Sequence, residues 1–427
     1  MKEIFLIYLW ENKLLRAPLI TEDGNLIEII HPGFRNDDSG PDFLNARIMI
    51  DNTVWAGNVE IHISASDWYN HRHHADKSYD NVILHVVYNA DKTTFTTLRE
   101  EIPVLSVKDC FDETILLRYR SFIDSQRWIP CENFAGEIQR FTWLSWLDRM
   151  IVDRLQMKVE DVIQILSQTG NDWEVTFYQR LLSNFGLKVN DVPFGQLARN
   201  LPFQILLRHS DQLFQLEAIL FGTAGLLESE FIDPYPQSLK REFEFLQKKY
   251  NLTTLKAEQW RFMRMRPANF PTLRLSQFAA LIHKNGRLFS KIIQAETPEQ
   301  IKEYFVVNAS SYWDNHFRFD TPSVGHQKNL GQNATSLLII NTVVQMLFTY
   351  GLIHENEQAK DKALVLLENM DAENNEIIRK FDKIGVHASN ALQSQSLLHL
   401  KKFYCSPKRC LECRIGHIIF KSDNQKE

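Results

Sequence analysis

Cysteine is scarce in this chain: five residues in 427, an odd number. So sparse and unpaired a set excludes the disulfide framework that holds small secreted domains together. Net charge is nearly absent too. Lys and Arg total 48 against 53 Asp and Glu, which leaves −5. That balance does not draw the whole molecule to nucleic acid, although a local basic patch is compatible with it. No apolar run reads as the roughly 18 residues of a membrane span. The N-terminal MKEIFLIYLWENKLL is apolar, but Glu3 and Glu11 interrupt it and no small-residue cleavage site follows. It reads as an amphipathic helix over residues 3–16 rather than a signal peptide. No fixed repeat period is evident. The loop GHQKNLG, with His326 and Lys328, lacks the Gly-Lys-Ser/Thr ending of a phosphate loop, so no nucleotide site is inferred there. These absences predict a cytoplasmic protein with no membrane segment, long enough for two or three domains.

The apolar share of 44% and charged share of 24% are those of an ordinary globular chain. Two periodicities divide it. Up to about residue 125 the apolar pattern is mostly that of strands: LIEIIHPG, NARIMI, VWAGNVEIHIS, NVILHVVY and EIPVLSV, with turn signals at Asp23-Gly24 and Asp51-Asn52. The near-continuous NVILHVVY predicts a strand buried on both faces. Residues 111–126 turn helical. From Gln139 onward, apolar spacings of three and four dominate, as in WLSWLDRMIVDRL. In NDWEVTFYQRLLSNFG an Asn171 or Asp172 cap and a Gly186 stop bracket one such helix. The expected architecture is α+β or α/β: a mixed sheet of about five strands in residues 1–125, a larger all-α domain in 126–400, and a cysteine-bearing segment in 401–427.

The richest chemistry lies between Asn36 and Tyr88, where acids, amides and histidines mix with strand-like runs. Alternation along VEIHI places Glu60 and His62 on one face and Val59, Ile61 and Ile63 on the other. Two polar groups on one face of a core strand need a partner, because burying them unpaired costs several kcal/mol. A divalent cation is such a partner, and Asp42 on the neighbouring strand supplies a second carboxylate. Asn36, Asn58 and His71 are candidates for positioning substrate. His71, His73 and His74 otherwise read as solvated and His85 as a core histidine; a transition-metal hydrolase built on the HRHH run is the competing reading outside nucleic acid.

Pro41-Asp42, a strand, a turn, and a strand ending Glu60-Ile61-His62 resemble the PD-(D/E)XK nuclease superfamily. The resemblance covers roughly residues 20–110. It implies Mg²⁺ or Mn²⁺ at Asp42 and Glu60, with the last position orienting or activating the attacking water on a phosphodiester. That position is lysine in the superfamily and His62 here; a neutral imidazole can still act as a base near pH 7. The catalytic set so implied is Asp42, Glu60 and His62, acting on nucleic acid, DNA first. The alternative is a catalytically inactive nucleic-acid-binding or scaffold protein on the same fold. Over its length the chain also resembles a bacterial family of unknown function, through GPDF, GNVEIH, DWYNH and YDNVILHVVY, which brings no activity with it.

Two further segments stand out. WRFMRMRPANFPTLR sets Arg261, Arg264, Arg266 and Arg274 among Trp260, Phe262 and Phe270, a pattern suited to phosphate contact and base stacking. Cys405, Cys410 and Cys413 are spaced C-x4-C-x2-C. Three clustered thiols predict a zinc or iron–sulfur site that needs a fourth ligand. Cys131 is the best candidate for it, with Cys110 and His417 as alternatives.

Overall fold

The computed structural model describes residues 1–421. Its described residues divide into two compact units: residues 1–146 together with 400–421, and residues 147–399. The cysteine-bearing tail therefore belongs to the same unit as the sheet, and so does the stretch from 126 to 146.

In the first unit, helix α1 (Glu3–Glu11) is followed by strands β1 (Leu19–Ile20), β2 (Leu26–His31), β3 (Phe34–Arg35), β4 (Phe43–Ile50) and β5 (Thr53–Ser64). A short helix α2 (Asp67–Asn70) leads to β6 (Val82–Asn89), β7 (Thr94–Phe95), β8 (Glu101–Ile102), β9 (Val104–Ser106) and helix α3 (Glu113–Asp124). The main sheet has seven strands in the order β1-β2-β4-β5-β6-β9, with β3 added beside β4. The two strands beyond the expected five are two-residue pieces, too short to leave an alternation in the sequence. β2, β4 and β5 run antiparallel, whereas β5–β6 and β6–β9 are parallel, so the sheet is mixed as expected.

The polarity change at β5–β6 matters for function. A parallel pair needs a crossover of a dozen or more residues, and here that crossover is the polar segment 65–81. Gly57 lets the paired backbones close up, since a Cβ there would sit 2.4 Å from Ile83 Cγ2. β6 is buried along six of its eight residues, as its apolar run predicts.

α1 departs from expectation in two ways. It stops at Glu11, where Asn12 caps it and Lys13 takes a left-handed conformation. It is also buried on nearly every side: Phe5 to Trp10 are all core residues, so the helix is a core element rather than an amphipathic one. α3 begins on Asp112, whose carboxylate accepts from the Thr114 N–H at 2.9 Å.

The second unit is helical apart from one small hairpin, His316–Arg318 with Thr321–Pro322. The helix Trp173–Phe185 starts on Asp172, which accepts from the Val175 N–H at 3.0 Å, and ends at Gly186. One continuous helix, Gln332–Ile353, is 22 residues long and contains an 18-residue window with a mean hydropathy of 1.7. It is long and apolar enough to span a bilayer, contrary to the expectation from sequence. However, 67% of that window is buried inside the protein, and Leu338, Ile339, Val343 and Leu347 pack in the unit's main core.

Candidate metal centre

β5 carries Glu60 and His62 two residues apart on one face, and both are buried, at 5% and 1% exposure. Across the β4–β5 pair, Asp42 and Glu60 lock the strands reciprocally. The Asp42 backbone N–H donates to Glu60 Oε2 at 3.0 Å, and the Ile61 N–H donates to Asp42 Oδ2 at 2.9 Å. β6 contributes His85, in register with Glu60, and His85 Nε2 lies 2.9 Å from His62 Nδ1.

The crossover delivers the remaining donors. Trp68 is fully buried and its Nε1–H donates to the Phe95 carbonyl at 3.0 Å, which pins α2 down. Ser66 precedes α2 but makes no side-chain cap; Asp67 instead accepts from the Ser64 N–H at 3.1 Å. Arg72 takes a left-handed turn with φ of 65°. On either side of that turn, His71 Nδ1 reaches His62 Nε2 at 3.1 Å, and His73 Nε2 reaches Glu60 Oε1 at 3.3 Å. His62 Nε2 is itself 3.5 Å from the same Glu60 oxygen. The donor atoms of His62, His71 and His73 all lie within 4.8 Å of one another.

His73 was expected to be solvated. It is buried instead, its ring stacked on Tyr79 at 3.8 Å between centroids, and its Nε2 makes no hydrogen bond. His74 is exposed, as expected. His85 is a core histidine, as read, but it also orients His62.

Asp42, Glu60, His62, His73 and His85 are each pushed toward the neutral form. Burial, and then the neighbouring Glu60, raise Asp42 to about 7. Burial raises Glu60 to about 8, with Glu3 adding to the rise. Burial, then the charges of His73 and His71, lower His62 to about 3. His73 and His85 are also lowered, chiefly by burial. Glu3, the first residue of α1, is raised by burial and by Asp42, so it faces this site as well. Nothing in its local sequence pointed there. Buried carboxylates and neutral imidazoles around an orphaned imidazole nitrogen are what a dication requires of its ligands. The residues fit a metal, and the donor set of three imidazoles and carboxylates suits a transition-metal dication better than Mg²⁺, which prefers oxygen.

The amides have other work. Asn36 Nδ2 donates to the carbonyls of Ser39 and Pro41 at 3.2 and 3.1 Å, which shapes the turn before Asp42. Asn58 Oδ1 accepts from the Asn45 N–H at 3.3 Å, at the irregularity in β4–β5. Both hold backbone.

The cysteines converge separately. Cys131, Cys410 and Cys413 are buried, and Cys131, Cys405 and Cys410 are raised by burial and by the neighbouring thiols; Cys410 reaches about 12. Gly416 packs on the Cys410 carbonyl, which lies 2.1 Å from where a Cβ would be. The Cys413 sulfur accepts from the Ile415 and Gly416 N–H groups. Of the proposed fourth ligands, Cys131 is the one in this group. His417 bonds Tyr8 at 2.9 Å, and Cys110 points to the Ser106 carbonyl at 3.6 Å.

A family model described as protein of unknown function (DUF2851) matches residues 3–376. The chain belongs to that family. No curated protein and no solved structure matches this DUF2851 chain.

In the second unit the four arginines separate. Arg261, Arg264 and Arg266 are exposed, whereas Arg274 is 5% exposed. Trp260 is buried and donates to the Ala224 carbonyl at 2.7 Å. Phe262 and Phe270 are faced by Arg318, 4.5 and 4.9 Å from their centroids. The aromatic residues of the segment are thus engaged within the protein.

Proposed function

We propose that this chain is a metal-dependent phosphodiesterase acting on nucleic acid, with its centre on Asp42, Glu60, His62, His71 and His73. The observation that carries the reading is the meeting of Glu60, His62, His71 and His73 on one sheet face, beside Asp42. A bound Mn²⁺, or a dication of similar preference, would lower the pKa of a water and offset charge on the phosphate. The chain's own groups have distinct tasks. His62 is held between His85 and His71, and its low pKa suits a ligand rather than a base at neutral pH. His71, the exposed member of the set, would complete the imidazole ligands at the solvent edge, where the attacking water enters. Asp42 and Glu60 bring the negative charge, and Trp68 and Tyr79 wall the site against bulk water.

The strand–turn–strand placement of Asp42 and Glu60 supports the PD-(D/E)XK resemblance, and His62 in place of lysine turns that position from base to ligand. Metal-stripped protein would be given Mn²⁺, Mg²⁺ or Zn²⁺ with single- and double-stranded DNA and RNA. Cleavage that needs Mn²⁺ and disappears in Asp42→Ala and Glu60→Ala is expected; cleavage retained in both variants overturns the reading. Salt-sensitive binding without cleavage would favour the inactive binding protein instead.

The four cysteines read best as an iron–sulfur site, which fits a reducing cytoplasm. Tetrahedral zinc with ~2.3 Å bonds holds its sulfurs under about 4 Å apart. Among the described residues the set meeting a 4.8 Å limit is the histidine trio, not three of these thiols. Iron with acid-labile sulfide and a visible absorption band, in protein purified without oxygen, is the expected result; zinc alone overturns it.

A further inference from the structure

The second unit contains a cavity of about 520 Å³, within the range of small-molecule sites. Its wall has an unusual composition for a chain with more acids than bases. Two arginines, one lysine, one histidine and five carboxamides line it, and among the described residues that line it there is no Asp or Glu. His326 and Lys328 come from the GHQKNLG loop, which carries no phosphate-loop signature.

The guanidinium of Arg274 is the decisive group. It is 5% exposed and hydrogen-bonds only neutral partners: Gln277 Oε1 at 3.0 Å and Asn269 Oδ1 at 2.7 Å. Its Nε is buried with no acceptor. Burial is the sole influence on its pKa, which falls to about 10, so it remains charged at neutral pH. A buried cation without a counter-charge is costly to fold. The same Gln277 donates to the carbonyls of Lys328 and Asn329 at 3.3 and 3.0 Å, which ties the arginine to the loop. Lys328 is 3% exposed and fixed by the carbonyls of Trp313 and Asp314, with its ammonium 4.2 Å from the Phe317 centroid. At the cavity edge Arg266 is exposed, and Gly331 opens the long helix Gln332–Ile353 without a side-chain cap. Two fixed cations, one exposed cation and a surplus of amide donors match a dianion with several acceptor oxygens better than a single carboxylate.

We propose that this cavity binds the phosphate group of a small phosphorylated ligand, with Arg274 and Lys328 as its fixed charge and Arg266 closing on it from the rim. The site shares no residue with the metal centre and stands whether or not that centre cleaves phosphodiesters.

Isothermal titration calorimetry on the full chain tests it, with inorganic phosphate, glucose 6-phosphate and adenosine monophosphate against glucose and adenosine. At least one ester should bind saturably, and the neutral parents at least about tenfold more weakly. Binding of inorganic phosphate alone would name the free anion as the ligand and overturn the ester. Arg266→Gln should weaken binding about tenfold or more without moving the melting temperature, because the side chain is exposed. Arg274→Gln should abolish binding, so an ester that raises the melting temperature of the unaltered chain should leave that of the folded variant unmoved. A purely structural arginine would leave the ester-dependent rise in place. No saturable heat up to about 10 mM, equal binding of the neutral parents, or binding indifferent to both variants overturns the proposal.

Discussion

Removing metal should make the first unit lose stability as pH rises through neutrality. A carboxyl whose folded pKa is raised is stabilising below its unfolded value, and that contribution is lost as pH climbs through the folded one. Asp42 and Glu60 are raised to about 7 and about 8, from 3.8 and 4.5. The neutral histidines act oppositely, because a lowered pKa adds stability as pH rises through the range between the folded and unfolded values. For His62 that range runs from about 3 to 6.5, and above 6.5 each lowered histidine has only about 0.4 kcal/mol left to gain. The window in which the carboxyls dominate is therefore pH 6.5 to 8. There each raised carboxyl costs about 1.4 kcal/mol per pH unit until it ionises. Asp42 contributes over half a unit and Glu60 over one and a half, roughly 2.7 kcal/mol together, or about 1 once the partial exposure of Asp42 and the remaining gain of the three histidines are discounted. For a unit of this size that is a melting-temperature fall of about 2–4 °C. Scanning calorimetry of chelator-treated protein at pH 6.5 and 8 should show it. Saturating Mn²⁺ should abolish it, because the carboxylates are then ionised in the folded state and compensated. Asp42→Asn with Glu60→Gln should remove it without metal. A metal-free melting temperature that is flat or rising across the window would refute the electrostatics assigned to this site.

Three further outcomes follow from the same geometry. His73→Gln should weaken Mn²⁺ binding about 10- to 100-fold, whereas His74→Gln next to it should leave the affinity unchanged; equal effects in calorimetric titrations would remove His73 from the ligand set. Trp68→Ala should destabilise the protein by about 3–5 kcal/mol in denaturant unfolding and lower metal affinity with it, since the ring holds the crossover that presents His71 and His73; a loss under about 1 kcal/mol would contradict that role. Cys131→Ser should reduce iron content sharply while Cys110→Ser leaves it intact, and the reverse pattern in elemental analysis would exchange their assignments.

The strands were legible because their apolar residues alternate, and that alternation alone placed Glu60 and His62 on a common face. Asp42 was legible from its position between Gly40-Pro41 and the next strand. His73 was not. Its neighbours Arg72, His74 and Ala75 are polar or small and exposed, and it is buried only because β5 and β6 are parallel. That forces the segment between them across the sheet face. Parallel pairing is set by which strand finds which partner, and that is a tertiary choice without a local pattern. Glu3 escaped for a similar reason: α1 docks beside β5 by packing, and the sequence near Glu3 shows only a helix start. The short strands β1 and β3 are too brief to carry a period. The helix Gln332–Ile353 passes the length and apolarity tests of a membrane span because a helix buried in a large core has the same composition.

The two candidate sites obey one electrostatic argument with opposite signs. In the first unit, lone pairs are gathered and dehydrated. Asp42 and Glu60 are raised and His62, His73 and His85 lowered, chiefly by burial, so these donors are held neutral with no cation among them. In the second unit the lining of the cavity gathers Arg266, Arg274 and Lys328 with no carboxylate, and the buried Arg274 is shifted toward its neutral form. Folding stability is only about 5–15 kcal/mol for a typical protein, so dehydrating ionisable groups without a partner, neutralised in the first unit and still charged at Arg274 in the second, is a large fraction of it. Each site is relieved when a group of complementary charge binds. This ties stability to occupancy, and it makes the melting temperature, measured with a dication and separately with a phosphate ester, a readout of both sites that requires no knowledge of the reaction.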